Sequence, residues 1–260
     1  MIPFFEFTTI HLGVLTIQVW GLFVSLGITT ALIFAYLRCK KQALSAELFL
    51  DMAIWILIGA FIMARIFHVV FYSPIYYLAN PQDILKFWQG GASSLGGFVG
   101  AGMAIWLFAK KRKLTWQFLL PYFDIAALSL WLGWGIGRIG CFLIHDHPGT
   151  LSSFILAVQY PGGARFDLGL LESILGFVLF IIFYLLYKKL IGIRAGLVAA
   201  LSVAAYAFVR FWLDFLRIPY NYVAGDIRYG AFTPAQWGML AILITLTFAG
   251  LWLKMKQPKN

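Results

Sequence analysis

Apolar residues gather in seven long runs along the 260-residue chain, at 14–37, 47–72, 93–109, 118–142, 168–187, 195–216 and 235–253. They do not break into short alternating strands. A bilayer core of about 30 Å needs about 20 apolar residues of helix. The pattern therefore predicts an all-α integral membrane protein with seven transmembrane helices. Between the fourth and fifth runs, "FILAVQYPGGARFD" predicts a short hairpin turning at Pro161-Gly162-Gly163. The first thirteen residues, apolar and aromatic, predict an arm lying in the membrane interface. The stretch 73–92 has a similar interfacial composition, with Pro74, Pro81, Tyr76, Tyr77 and Trp88. No linker, low-complexity tract or internal repeat interrupts the chain. A single transmembrane domain over 1–260 is expected, and an inverted-repeat transporter is disfavoured.

Composition agrees: 62% of residues are hydrophobic and 12% charged, where a soluble domain carries about 25% charged residues. A soluble α/β enzyme is excluded. The net charge of +10 sits in clusters that follow alternate runs. Arg38, Lys40 and Lys41 follow the first run, and Lys110, Lys111, Arg112 and Lys113 the third. Lys188, Lys189 and Arg194 follow the fifth, and Lys254, Lys256 and Lys259 the seventh. The positive-inside rule makes that side cytoplasmic, with the N-terminus outside and the C-terminus inside. A nucleic-acid face is not expected. Cys39 and Cys141 fall toward opposite sides, so no disulfide is expected. The N-terminus lacks the basic start and cleavage pattern of a signal peptide.

Several ionisable residues lie inside the runs: Arg65, Arg138, Glu172, Arg210, Asp214 and Arg217. Each costs roughly 2.5–3.5 kcal/mol at the bilayer centre, so each should face the interior with a partner. Arg210, Asp214 and Arg217 share one helix face by their spacing, and for Asp214 a neutralising ion pair is a fair reading. The four arginines outnumber the two acids. A surplus of guanidinium near the outer leaflet asks for an anion, and a lipid phosphate fits. "GIGRIG" matches a dinucleotide fingerprint but follows no strand, so close helix packing at Gly133, Gly135, Gly137 and Gly140 is the better reading. Gly96, Gly97, Gly100 and Gly102 repeat the theme.

With these residues in view, the sequence resembles the prolipoprotein diacylglyceryl transferase family over nearly its whole length. "GIGRIGCF" resembles the family signature G-x-G-R-x-G-N-F, and "QGGASSLGGFVG", "MARIFHVVFY", "QVWGLFVSLG", "AYAFVRFWLDFLR" and "FTPAQWGML" resemble further family stretches in the same order. The resemblance implies a seven-span enzyme of the bacterial cytoplasmic membrane with its active site toward the extracytoplasmic side. It implies transfer of a diacylglyceryl group from phosphatidylglycerol to the lipobox cysteine of prelipoproteins, with glycerol phosphate leaving. No cofactor and no metal are implied, and a monomer is expected. By position, Arg138 and Arg210 are expected to act on the lipid, with Asp146 aligned to a family glutamate. Arg65, Glu172, Asp214, Arg217, Trp20, Gly96, Gly97, Gly137 and Gly140 are expected to line the substrate site.

The sequence departs from the family at Leu95, where a histidine stands, and at Cys141, where the signature has asparagine. His145 and His147 are the natural substitute bases, since imidazole titrates near neutral pH. A hydrogen-bonded turn closed by Pro148-Gly149 carries equal weight for them. A metal held by Cys141, His145, Asp146 and His147 ranks third, because the spacing matches no known zinc pattern. A divergent transferase with another donor or acceptor, or a non-catalytic lipid-binding or transport protein, is the alternative function.

Overall fold

The computed structural model describes residues 1–13, 15–86, 91–218 and 228–255, with the side chains of Ser94 and of 251–255 left aside. The expectations for Trp88, Lys256 and Lys259 lie outside the described residues. The chain is mostly helical: α1 (Val19–Lys41), α2 (Ala46–Phe71), a short α3 (Pro74–Ala79), α4 (Ser94–Lys111), α5 (Trp116–Ile144), α6 (Leu168–Ile193), α7 (Leu197–Leu213) and α8 (Pro234–Met255). Five of these, α1, α2, α5, α6 and α7 with its 3-10 extension to Leu216, are long and apolar enough to cross a membrane. The chain is therefore a multi-pass membrane protein. In α4 four glycines and two terminal lysines dilute the apolar run, and the apolar part described for α8 ends at Gly250.

Two differences from the sequence pattern concern strands. The first thirteen residues are not a simple interfacial arm. Thr9–Leu12 (β1) and Leu15–Gln18 (β2) form an antiparallel hairpin, so α1 begins at Val19 and not near residue 14. β-branched Thr and Ile residues flank Gly13, whose φ of +63° suits a tight reversal. The second hairpin is where expected: Val158–Tyr160 (β4) pairs with Gly163–Asp167 (β5), and Pro161 and Gly162 make the turn. Pro148–Leu151 (β3) adds an unpredicted third strand on the far side of β5.

The contacts divide the chain into two compact units, residues 35–122 and residues 1–34 with 123–260. In the first, α2 packs closely on α4. A Cβ at Gly100 would fall 2.2 Å from the Gly59 carbonyl oxygen, so that crossing admits only glycine. Ser45 caps α2 by accepting from the Leu48 amide at 3.0 Å, as its place before an apolar run predicts.

In the other unit, α5 and α6 also approach closely. A Cβ on Gly176 would lie 2.8 Å from the Gly135 nitrogen, and the Ser173 hydroxyl donates to the Gly135 carbonyl at 2.8 Å. This crossing brings Arg138 of α5 and Glu172 of α6 within reach of each other. The N-terminus of α7 is capped from another helix. The fully buried Asp124 of α5 accepts from the Gly196 amide at 2.7 Å and the Ala199 amide at 2.9 Å, an anion where the helix leaves its amides unpaired. Asp124→Ala is expected to cost on the order of 3 kcal/mol, the worth of charge-assisted bonds lost from a buried site. Thermal unfolding in detergent checks this, and an unchanged midpoint would show that α7 needs no cap from α5.

Candidate active site

Arg138, Glu172, Arg210, Asp214 and Arg217 form one continuous ladder. Arg138 Nη2 lies 2.8 Å from Glu172 Oε2, and Arg210 Nε lies 3.3 Å from Glu172 Oε1. Arg210 Nη1 then meets Asp214 Oδ1 at 2.6 Å, and Arg217 Nε meets the same oxygen at 2.8 Å. Both acids are fully buried, and Arg210 between them is nearly so. The end members are more open, with Arg138 and Arg217 side chains 16% and 17% exposed. Three cations alternate with two anions, so the ladder keeps one net positive charge with a guanidinium at each open end. Arg138 also lies over the Trp134 ring at 4.7 Å, which holds its plane in place.

Two residues without an expected role fix the Asp214 end. Thr233 precedes Pro234, the first residue of α8. Its hydroxyl accepts from the Gln236 amide at 3.2 Å, and the Gln236 side chain accepts from the Thr233 amide at 3.0 Å. This is a capping box with proline at the first helical position. The Thr233 hydroxyl also donates to Asp214 Oδ2, and Gln236 Nε2 donates to the Phe211 carbonyl at 3.1 Å. The signal was present in "TPAQ", a threonine followed three residues later by glutamine before an apolar run. Tyr206 was also missed: it packs on Trp131 at 4.9 Å.

At the end of α5 the two histidines separate. His145 takes a left-handed backbone with φ +50°, which ends the helix. Its ring is buried, stacked on Phe4 and packed against Phe5 and Phe142. His145 Nδ1 bonds Asp167 Oδ2 at 2.7 Å, and the Tyr160 hydroxyl donates to the same oxygen at 2.6 Å. Burial and that carboxylate hold the Tyr160 hydroxyl far above its ordinary pKa, so it remains a donor. Asp167 in turn caps α6 through the Leu170 amide at 3.0 Å. His145 is thus an anchor within the protein, through Asp167 and not through a turn closed by Pro148-Gly149, which begin β3. His147 is not: its side chain is 27% exposed and its Nδ1 bonds Asp146 Oδ1. Cys141, buried in the last turn of α5, lies beside this pair.

The remaining expected residues are distributed as follows. Arg65 lies in the 35–122 unit and holds a loop there. It donates to the carbonyls of Asp83 at 2.6 Å, Gly91 at 2.9 Å and Ile84 at 3.0 Å, under the Tyr77 ring. In this geometry Arg65 serves main-chain oxygens of its own unit. Leu95 is exposed on α4. A Cβ at Gly96 would fall 2.4 Å from the Met63 carbonyl, and one at Gly140 2.8 Å from Phe23, so both serve helix packing. Gly97 and Gly137 meet their neighbours only at about van der Waals distance. Trp20, at the start of α1 near Gly140, is 48% exposed.

A family model described as prolipoprotein diacylglyceryl transferase matches residues 8–253. The phosphatidylglycerol–prolipoprotein diacylglyceryl transferase of Cupriavidus necator is 30% identical over 98% of this chain and 95% of its own length. That of Pseudomonas paraeruginosa is 30% identical over 96% and 93%, and that of Burkholderia orbicola 27% over 99% and 97%. With a family model and relatives spanning almost every residue, the chain belongs to the prolipoprotein diacylglyceryl transferase family.

Proposed function

We propose that this chain transfers a diacylglyceryl group from phosphatidylglycerol to the lipobox cysteine thiol of a prelipoprotein. The observation that carries the reading is the buried charge ladder with a guanidinium at each open end, inside a membrane protein of this family. A phosphodiester headgroup is the anion such ends suit, since arginine binds phosphate oxygens in pairs. The acceptor thiol gives its proton to the His147 imidazole, which Asp146 holds. Its sulfur attacks the glyceryl carbon, a C–S bond forms, and the C–O bond to phosphorus breaks. The electron pair leaves on the phosphate oxygen of glycerol phosphate, where Arg138 and Arg217 stabilise the growing charge. Arg210, fixed between Glu172 and Asp214, positions both ends and does not itself reach the lipid.

Two further helices, α4 and α8, complete seven spans in this reading. The reading is supported by the basic residues that close α1 and α4 and follow the seventh apolar run, since the positive-inside rule favours an outer N-terminus and a cytoplasmic C-terminus for such a pattern. The ladder and residues 141–147 then face the extracytoplasmic side of the cell membrane, where prelipoprotein acceptors arrive, and the protein acts as a monomer. The test is transfer of labelled diacylglycerol from phosphatidylglycerol to a lipobox peptide by the purified chain, beside rescue of a transferase-depleted bacterium. Transfer is expected, with His147→Ala at least about 100-fold slower, the usual scale for a lost proton-transfer group. No transfer by folded protein would overturn the reading. Wild-type rates in His147→Ala would remove that residue from it.

A further inference from the structure

The α2–α4 pair carries a groove that the transfer chemistry does not use. Beside the crossing at Gly59 and Gly100 lies a cavity of about 380 Å³ with an almost wholly apolar lining. The two glycines bring the backbones together and leave the floor without side chains. Ile54, Ile58, Met103 and Leu107 stand along it, each about half exposed. α2 is also the least covered of the five long apolar helices. On the α2 side the groove runs from Ile54 to Met63, about 14 Å at 1.5 Å per residue. That is about half of a 30 Å hydrocarbon core, the depth of one leaflet.

Charge gathers at one end. Trp55 lines the groove there, and the Lys111 ammonium sits 5.1 Å from the centre of its ring. Lys110 stands likewise over Trp106 at 5.2 Å. Lysine and tryptophan together at a helix end mark the headgroup level of a membrane. Asp51 lies nearby, but Arg112 neutralises it at 2.6 Å. Lys110 and Lys111 have no carboxylate partner among the described residues. An ammonium resting on a ring keeps N–H donors free to point outward. An apolar trough one leaflet deep, ending beneath two lysines, has the shape and charge of an anionic phospholipid. A zwitterionic lipid carries its own cation and gains less. A second copy of the chain, docked here about a two-fold axis, would set lysines against lysines, which is repulsive.

We propose that the α2–α4 groove binds an anionic phospholipid, with one acyl chain along Ile58 and Met103 and the phosphate on Lys110 and Lys111. Basic pockets between membrane helices favour such headgroups. Which leaflet supplies the lipid rests on the topology proposed above, which makes it the cytoplasmic one; the site itself does not. This lipid is a bound partner of the 35–122 unit and not the donor that meets Arg138.

The test reconstitutes the full chain in phosphatidylcholine nanodiscs. They carry a trace of phosphatidylglycerol with a diazirine on one acyl chain, or of phosphatidylcholine with the same chains. Illumination without acceptor peptide is followed by mass spectrometry of the crosslinked peptides. The anionic probe is expected to label residues 54–63 and 100–107 at least about 5-fold more than the zwitterionic one, the factor for one engaged lysine. Lys110→Gln with Lys111→Gln should bring the two probes level. Lys188→Gln with Lys189→Gln, an equal loss of charge at the end of α6, should not. Equal labelling by both probes in the wild-type chain would overturn the site and reduce the groove to ordinary bilayer contact. So would a preference that survives the Lys110 and Lys111 changes. Transfer is assayed on the same preparations. Lysine-dependent labelling in chain that transfers nothing would uphold the site and overturn the transferase reading alone. Transfer by chain that shows no labelling preference would do the reverse.

Discussion

Glu172→Gln is expected to cost about 3–5 kcal/mol of stability, the range found when one partner of a buried ion pair is removed. It is also expected to slow transfer by two orders of magnitude or more. Glu172 is fully buried and stands between Arg138 and Arg210. Glutamine keeps its shape, yet leaves three guanidinium groups facing the single charge of Asp214. The guanidinium groups must then repel, take up water or shift, and each response moves Arg138. Thermal unfolding in detergent and the transfer assay report the two effects separately. The double variant Glu172→Gln with Arg210→Gln removes one charge of each sign. Stability should partly return, because the coupling of neighbours makes their costs non-additive. Transfer should not return, since Arg138 lacks its counter-ion in both. Equal stability of Glu172→Gln and wild type would show that the ladder is not an energetic unit.

The ladder was legible in the sequence because a membrane makes charges conspicuous. Arginines and acids inside apolar runs have few explanations, and the spacing of Arg210, Asp214 and Arg217 already placed them on one face. The hairpin at Pro161-Gly162 was legible for a similar reason, as its turn chemistry is local. What the sequence withheld was anything set by three-dimensional approach. His145 and His147 look equivalent in "HDHPG", and only the aromatic cage of Phe4, Phe5 and Phe142 separates them. Arg65 looks like the other arginines, but its partners are main-chain oxygens 18 to 26 residues away, which leave no trace in composition. The β1–β2 hairpin hid because its apolar residues merge with the first run. Thr233 and Gln236 formed a readable capping box, yet nothing along the chain reveals that its hydroxyl reaches Asp214.

Arg138→Lys should lower turnover about 100- to 1,000-fold, the scale of losing one preorganised donor to a developing oxyanion, while the protein stays folded. The two side chains carry the same charge, so the comparison isolates geometry. Arg138 uses Nη2 for Glu172 and Nη1 for Cys141, and its plane rests on Trp134 at 4.7 Å. A guanidinium can meet all three and still direct its remaining edge outward. A lysine ammonium is a point charge on a flexible stem and makes one of these contacts at a time. Drawn to the buried Glu172, it would abandon both the sulfur and the headgroup. The loss should therefore appear mainly in turnover at saturating phosphatidylglycerol, since the charge that attracts an anionic lipid is still present. A lysine variant with wild-type turnover would reduce Arg138 to a counter-ion for Glu172 and move the leaving-group charge to Arg217.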